Sequence, residues 1–182
     1  MIIMTFILCA LEWASRMALN IFPDQSFTIS IVLPIALIGM MRHGALGVLL
    51  AAVGGLVYCI TNGAESNVYF IYILGNSFIA FNLFWFKKLG KENIRERIGL
   101  VILYVISGYI LINLGRSISA LILGNTPFFP TAVRYFTTDA LSAVMSVIIV
   151  LIARKQDGVF EDQMIFLKRL AAEEENRNAS QA

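Results

Sequence analysis

The feature that most constrains this chain is a succession of long apolar runs separated by short charged clusters. The runs are Met1–Asn20, Phe27–Met41, Ala45–Thr61, Val68–Phe86, Ile98–Leu123 and Ala132–Ala153. A helix needs about 20 mostly apolar residues to cross about 30 Å of hydrocarbon. In lipid every backbone polar group must also be satisfied within the protein. The chain has 182 residues, of which 58% are hydrophobic and 14% charged, and its mean hydropathy is +0.77. An average soluble domain is about 45–50% apolar and about 25% charged, and once six spans are placed no sizeable soluble domain fits. The expected fold is an all-α integral membrane protein of the cell membrane. Its six transmembrane helices form a compact bundle over residues 1–155, and an amphipathic cytoplasmic tail covers residues 156–182.

Sidedness follows from the basic residues. Arg42, the group Lys87, Lys88, Lys91, Arg95 and Arg97, and the group Arg154, Lys155, Lys168, Arg169 and Arg177 fall in alternate connections or in the tail. The connections around Asp24, Glu65 and Asn125 carry no Lys or Arg. The positive-inside rule then places both termini in the cytoplasm. Met1 runs directly into apolar sequence, without a basic n-region or an A-x-A site after it, so no cleaved signal peptide is expected. Pro34, and the Phe22-Pro23-Asp24-Gln25 turn before the short second run, predict a kinked or partly re-entrant segment that can line a cavity.

Five ionisable residues fall within the runs: Glu12 and Arg16 in the first, Arg116 in the fifth, Arg134 and Asp139 in the sixth. A charge at the bilayer centre costs about 2.5–3.5 kcal/mol even on insertion scales, so such residues face partners or a watery cavity. In the predicted topology all five lie in the outer half. Helical spacing extends them into stripes: Tyr109, Asn113 and Arg116; Asp139, Ser142 and Ser146; Tyr69, Tyr72 and Asn76. Stripes that face one another describe a pocket open to the outside. Its candidate substrate-binding residues are Glu12, Arg16, Asn76, Tyr109, Asn113, Arg116, Arg134 and Asp139. The alternative is a set of ion pairs, Glu12 with Arg16 and Arg116 with Asp139, that only hold the bundle together.

Ala10, Ala14 and Ala18 form a small-residue stripe on the opposite face of the first helix, suited to close approach by another helix. In the tail, Phe160, Met164, Leu167 and Ala171 share one predicted helical face, lying on the membrane surface or against a partner, and fraying is expected from Glu173 onward. No phosphate loop or G-x-S-x-G elbow occurs, and one histidine (His43) with two distant cysteines (Cys9, Cys59) makes no zinc site. Enzymatic activity and cofactors are therefore not expected. The basic clusters need no nucleic acid, because topology already accounts for them.

The stretch Ile31-Val32-Leu33-Pro34-Ile35-Ala36-Leu37-Ile38-Gly39-Met40-Met41-Arg42-His43-Gly44, followed by Gly47 and Gly54-Gly55, resembles the second and third helices of substrate-binding S components of energy-coupling factor (ECF) transporters. The six-span topology with cytoplasmic termini is similar too. Ala10, Ala14 and Ala18 match the family's Ala-x-x-x-Ala motif, which contacts the transmembrane coupling subunit. The resemblance implies an uptake system in which this chain captures a vitamin or other polar micronutrient outside, while the coupling subunit and two cytoplasmic ATPase subunits drive its release inward. Cell-shape proteins of the MreD type share the size, span count and a similar Arg-Gly turn. A non-catalytic scaffold that recruits partners is the alternative.

Overall fold

Each apolar run becomes helical, and glycines decide where the helices reverse and how closely they cross. The computed structural model describes residues 1–19 and 27–181 and contains no strand among them. Helix α1 spans Ile2–Leu19, α2 Val32–His43, α3 Val48–Thr61, α4 Ser66–Ser77, α5 Leu83–Leu89 and α6 Lys91–Glu96. Then follow α7 Ile98–Leu123, α8 Phe128–Thr138, α9 Ala140–Ala153 and α10 Gln163–Gln181. The helix bounds of α7 coincide with those of the fifth apolar run.

Pro34 does not kink α2. It lies in the first turn, where its missing N–H would have no intrahelical partner in any case. The irregular backbone comes earlier, at Thr28–Ser30, and the Phe22-Pro23-Asp24-Gln25 turn lies outside the described residues. After α2, Gly44 adopts φ +63°, open to glycine at little cost, and the chain turns through the 3-10 segment Gly44–Gly47. A Cβ on Gly54 would sit 2.5 Å from the Val32 methyls, so α3 runs back along α2 as a helical hairpin. Helices α4 and α5 are joined by the 3-10 segment Phe78–Asn82, and α8 meets α9 at a 48° bend beside Asp139.

Three helical stretches, Val32–Thr61, Ser66–Leu89 and Ile98–Leu123, are long and apolar enough to cross a membrane, and the bent α8–α9 pair makes a fourth if taken as one span. The reversal at Gly44 divides the first of these into two short antiparallel arms. The chain is thus a multi-pass membrane protein by length and composition. Its outer surface suits lipid: Ile2 is 87% exposed, Phe129 76% and Ile122 72%. Such a surface would aggregate in water.

The basic connections converge at one end of the bundle. Lys91 Nζ reaches Asp162 at 2.5 Å, Arg95 and Arg169 both pair with the buried Glu161 at 3.3 and 3.1 Å, and Arg154 donates to the Arg95 carbonyl. Burial works against the Asp162 carboxylate, but hydrogen bonds from Lys91 and the Met164 amide outweigh it and hold its pKa below the ordinary value. Two expectations for the tail are corrected here. Phe160 precedes α10 and is fully buried in the bundle, so it takes no part in an exposed stripe with Met164 and Leu167. The helix also continues through Gln181 instead of fraying at Glu173.

Candidate functional site

The polar residues of six helices and one non-helical segment meet around Arg116. α7 carries Tyr109, Asn113 and Arg116 on its inward face, and two glycines let α4 come close enough for Asn76 to reach it. A Cβ on Gly75 would lie 2.6 Å from the Arg116 backbone, and one on Gly115 would overlap the Gly75 carbonyl and Phe78. Arg116 Nε donates to Asn76 Oδ1 at 2.8 Å, and Nη1 pairs with Asp139 Oδ2 at 2.5 Å. The face of the guanidinium stacks on Tyr72 at 4.5 Å, Tyr58 stacks on Tyr72 in turn, and Tyr135 meets its edge. Arg116 is thus 6% exposed, with a carboxylate, an amide carbonyl and a π-face as partners, the pairing a buried cation requires.

Beside Arg116 the extended segment Thr28–Ser30 is pinned across the bundle. Thr28 Oγ1 donates to Asp139 Oδ1 at 2.5 Å, and the Thr28 amide donates to the Thr138 carbonyl at 2.9 Å. The Ser30 amide donates to Ser142 Oγ at 3.0 Å, while Ser142 Oγ donates to the Thr28 carbonyl at 2.9 Å. Glu12 is buried and accepts from Ser30 Oγ at 3.2 Å and from the Ile31 amide at 3.1 Å. Its expected pairing with Arg16 is not made. The peptide at Ile31, which has no intrahelical acceptor because it precedes α2, competes for the carboxylate.

Between these groups lies a cavity of about 20 Å³, lined by Ser30, Val32, Leu33, Tyr109, Ile112, Asn113, Arg116, Asp139 and Ser142. It holds one water-sized group, far below the roughly 300–1,000 Å³ of sites that enclose whole small molecules.

Six of the eight candidate residues (Glu12, Asn76, Tyr109, Asn113, Arg116 and Asp139) belong to this cluster. Arg134 does not: it is exposed on α8, on the far side of the bend from Asp139. Arg16 is half-buried on α1, one turn beyond Glu12. Thr28 and Ser30 went unread, although the alternation Ser26-Phe27-Thr28-Ile29-Ser30-Ile31 is the period-two signal of an extended segment. Tyr58 and Tyr135 carried no signal, since aromatic residues in apolar helices are common. Compared with known proteins, the chain matches no family model, no curated protein and no solved structure.

Proposed function

We propose that this chain is the membrane-embedded substrate-binding subunit of an ECF-type uptake transporter, capturing a polar, vitamin-like micronutrient from outside. In this reading it crosses the membrane six times with both termini in the cytoplasm. The observation that carries the reading is the cluster around Arg116: a buried guanidinium, the buried Glu12 and the half-buried Asp139 beneath a non-helical segment. Irregular backbone and charge at membrane depth are tolerated where they line a polar cavity, and they mark solute pathways. In this reading the cavity, which holds only a water-sized group, has to widen to take a solute. Thr28–Ser30 would have to lift from Asp139 and Ser142 for a solute to enter.

The ligand in this reading offers both charge signs or dense hydrogen-bonding groups, since a purely apolar solute would leave the cluster unpaired. The test is purification in detergent followed by mass spectrometry of co-eluting small molecules, with a thermal-shift screen against vitamins, nucleobases and amino acids. A bound ligand at about 100 times its Kd adds about 2.7 kcal/mol of stability. The second reading is a scaffold of the MreD type. The small cavity favours it, as do the exposed Met164 and Leu167 on α10. Absence of any bound or stabilising solute selects it.

Topology has its own check. Reporters fused after Ala182 and within Gly63–Asn67 are expected to give opposite signals, and matching signals would overturn the six-span arrangement. The partner face has another. Ala10 and Ala14 are exposed while Glu12 between them is buried, so the stripe faces away from the polar cluster, and the side chain of Ala18 lies outside the described residues. Ala14→Trp is expected to abolish transport by the assembled complex, by blocking close approach of a coupling-subunit helix, while solute binding to the isolated chain persists. Loss of both activities together would assign the stripe to internal packing.

A further inference from the structure

The Asn113 side chain is completely buried, and among the described residues its Oδ1 has no hydrogen-bond partner. The orientation of the amide is fixed, because Nδ2 donates to the Tyr109 carbonyl at 3.1 Å. The unpaired atom is therefore an acceptor, in a residue that lines the cavity beside Arg116. A buried acceptor left unsatisfied is costly, so the site is built for something that donates to it.

The remaining wall has the same polarity. The Tyr109 hydroxyl hydrogen is given to the Phe136 carbonyl, a bond that does not depend on Thr28–Ser30. What this hydroxyl has left to offer is lone pairs. Among the described residues Arg116 is the one cation lining the cavity, and it is engaged with Asp139 and Asn76 and stacked on Tyr72. Among the described residues Asp139 is the one carboxylate in the lining. The cavity of about 20 Å³ admits a single water-sized group.

From the orphaned acceptor, the Tyr109 lone pairs and the Asp139 carboxylate in the lining, we infer that the cavity is the seat of a small N–H donor head, and that the solute taken up is an amine. The inference rests on the uptake reading and adds the substrate class to it. The ammonium group donates to Asn113 Oδ1 and to the Asp139 carboxylate, and the rest of the molecule lies where Thr28–Ser30 now covers the cluster.

The experiment uses the full chain purified in detergent in an amine-free potassium buffer. Melting temperature is followed against ethanolamine, putrescine, choline, nicotinate and sodium chloride, each alone. Ethanolamine or putrescine is expected to raise the melting temperature in a saturable way. Choline, which is cationic but has no N–H, should do so at least about tenfold less potently, and nicotinate and sodium not at all. Asn113→Leu and Asn113→Ala, which both remove the acceptor, should abolish the amine effect. The inference is overturned if nicotinate or sodium alone stabilises the protein, or if the amines act equally on wild type and Asn113→Leu. Should Asn113→Leu fail to fold, an unchanged amine response in Asn113→Ala overturns it. Binding by anionic or neutral solutes alone removes the amine assignment and leaves the uptake reading standing. Failure of every probe, with no solute co-purifying, removes both.

Discussion

Arg116→Ala is expected to be the most damaging single substitution in the polar cluster, lowering stability by about 3–5 kcal/mol. Asp139 would lose the partner that compensates its burial, and breaking a buried pair from one side leaves an unpaired charge in a low-dielectric interior. Asn76 would lose the donor on its Oδ1, and Tyr72 the cation on its ring face. The double variant Arg116→Met with Asp139→Asn removes both charges together, so much of the lost stability should return, as it does when a buried pair is replaced by neutral groups of similar size. The two variants separate the roles of the pair. If Arg116 and Asp139 bind solute, the refolded double variant should bind any solute found with wild type about ten- to hundredfold more weakly, the size of one or two charge-assisted hydrogen bonds. If the pair only braces the bundle, the double variant keeps full affinity. Unfolding in detergent, with binding measured on the folded fraction, decides between them. An Arg116→Ala protein that melts like wild type would contradict the burial and pairing described here.

A second large effect is expected where α4 crosses α7. Gly115→Val should prevent native packing of these two helices, lowering stability by about 3 kcal/mol or more, above the usual 1–3 kcal/mol of overpacking. The side chain would meet the Gly75 carbonyl and Phe78 Cβ, the latter at 2.7 Å. A carbonyl fixed in a helix cannot rotate away as the tip of a flexible side chain can. Because Asn76 follows Gly75 and Arg116 follows Gly115, separating the helices also pulls the Arg116–Asn76 hydrogen bond apart. Gly99→Val, at a position open to space on the same helix, is the control and should be nearly neutral. Equal melting temperatures for the two variants would show that the crossing is looser than these contacts indicate.

Much of the architecture was legible from residue type and spacing. The bounds of α7 follow from an uninterrupted apolar run, and the reversal at Gly44 sits where a basic-Gly turn breaks two such runs. The gathering of Lys91, Arg95, Arg154 and Arg169 at one end agrees with their alternation along the chain. Helix-face arithmetic also brought Arg116 and Asp139 to one level. These properties are set locally: apolar run length, charge per connection and 3.6-residue periodicity do not depend on which helix packs against which.

The tertiary structure decided the rest. Asp139 sits at the 48° bend between α8 and α9 and reaches Arg116 there, while Arg134 is exposed on α8. Glu12 has Arg16 one helical turn away and instead accepts from the Ser30 hydroxyl and the Ile31 amide, which precedes α2 and has no intrahelical acceptor. Phe160 has the spacing of a surface stripe but is buried, since the chain turns at Gly158 (φ +70°) before α10 begins. The size of the cavity was legible at no stage of the sequence. It depends on how far Gly75 and Gly115 let α4 approach α7 and on where Thr28–Ser30 settles across them. Sequence pattern fixes which groups are polar at a given depth; the space left between them is set by close packing of residues far apart in the chain.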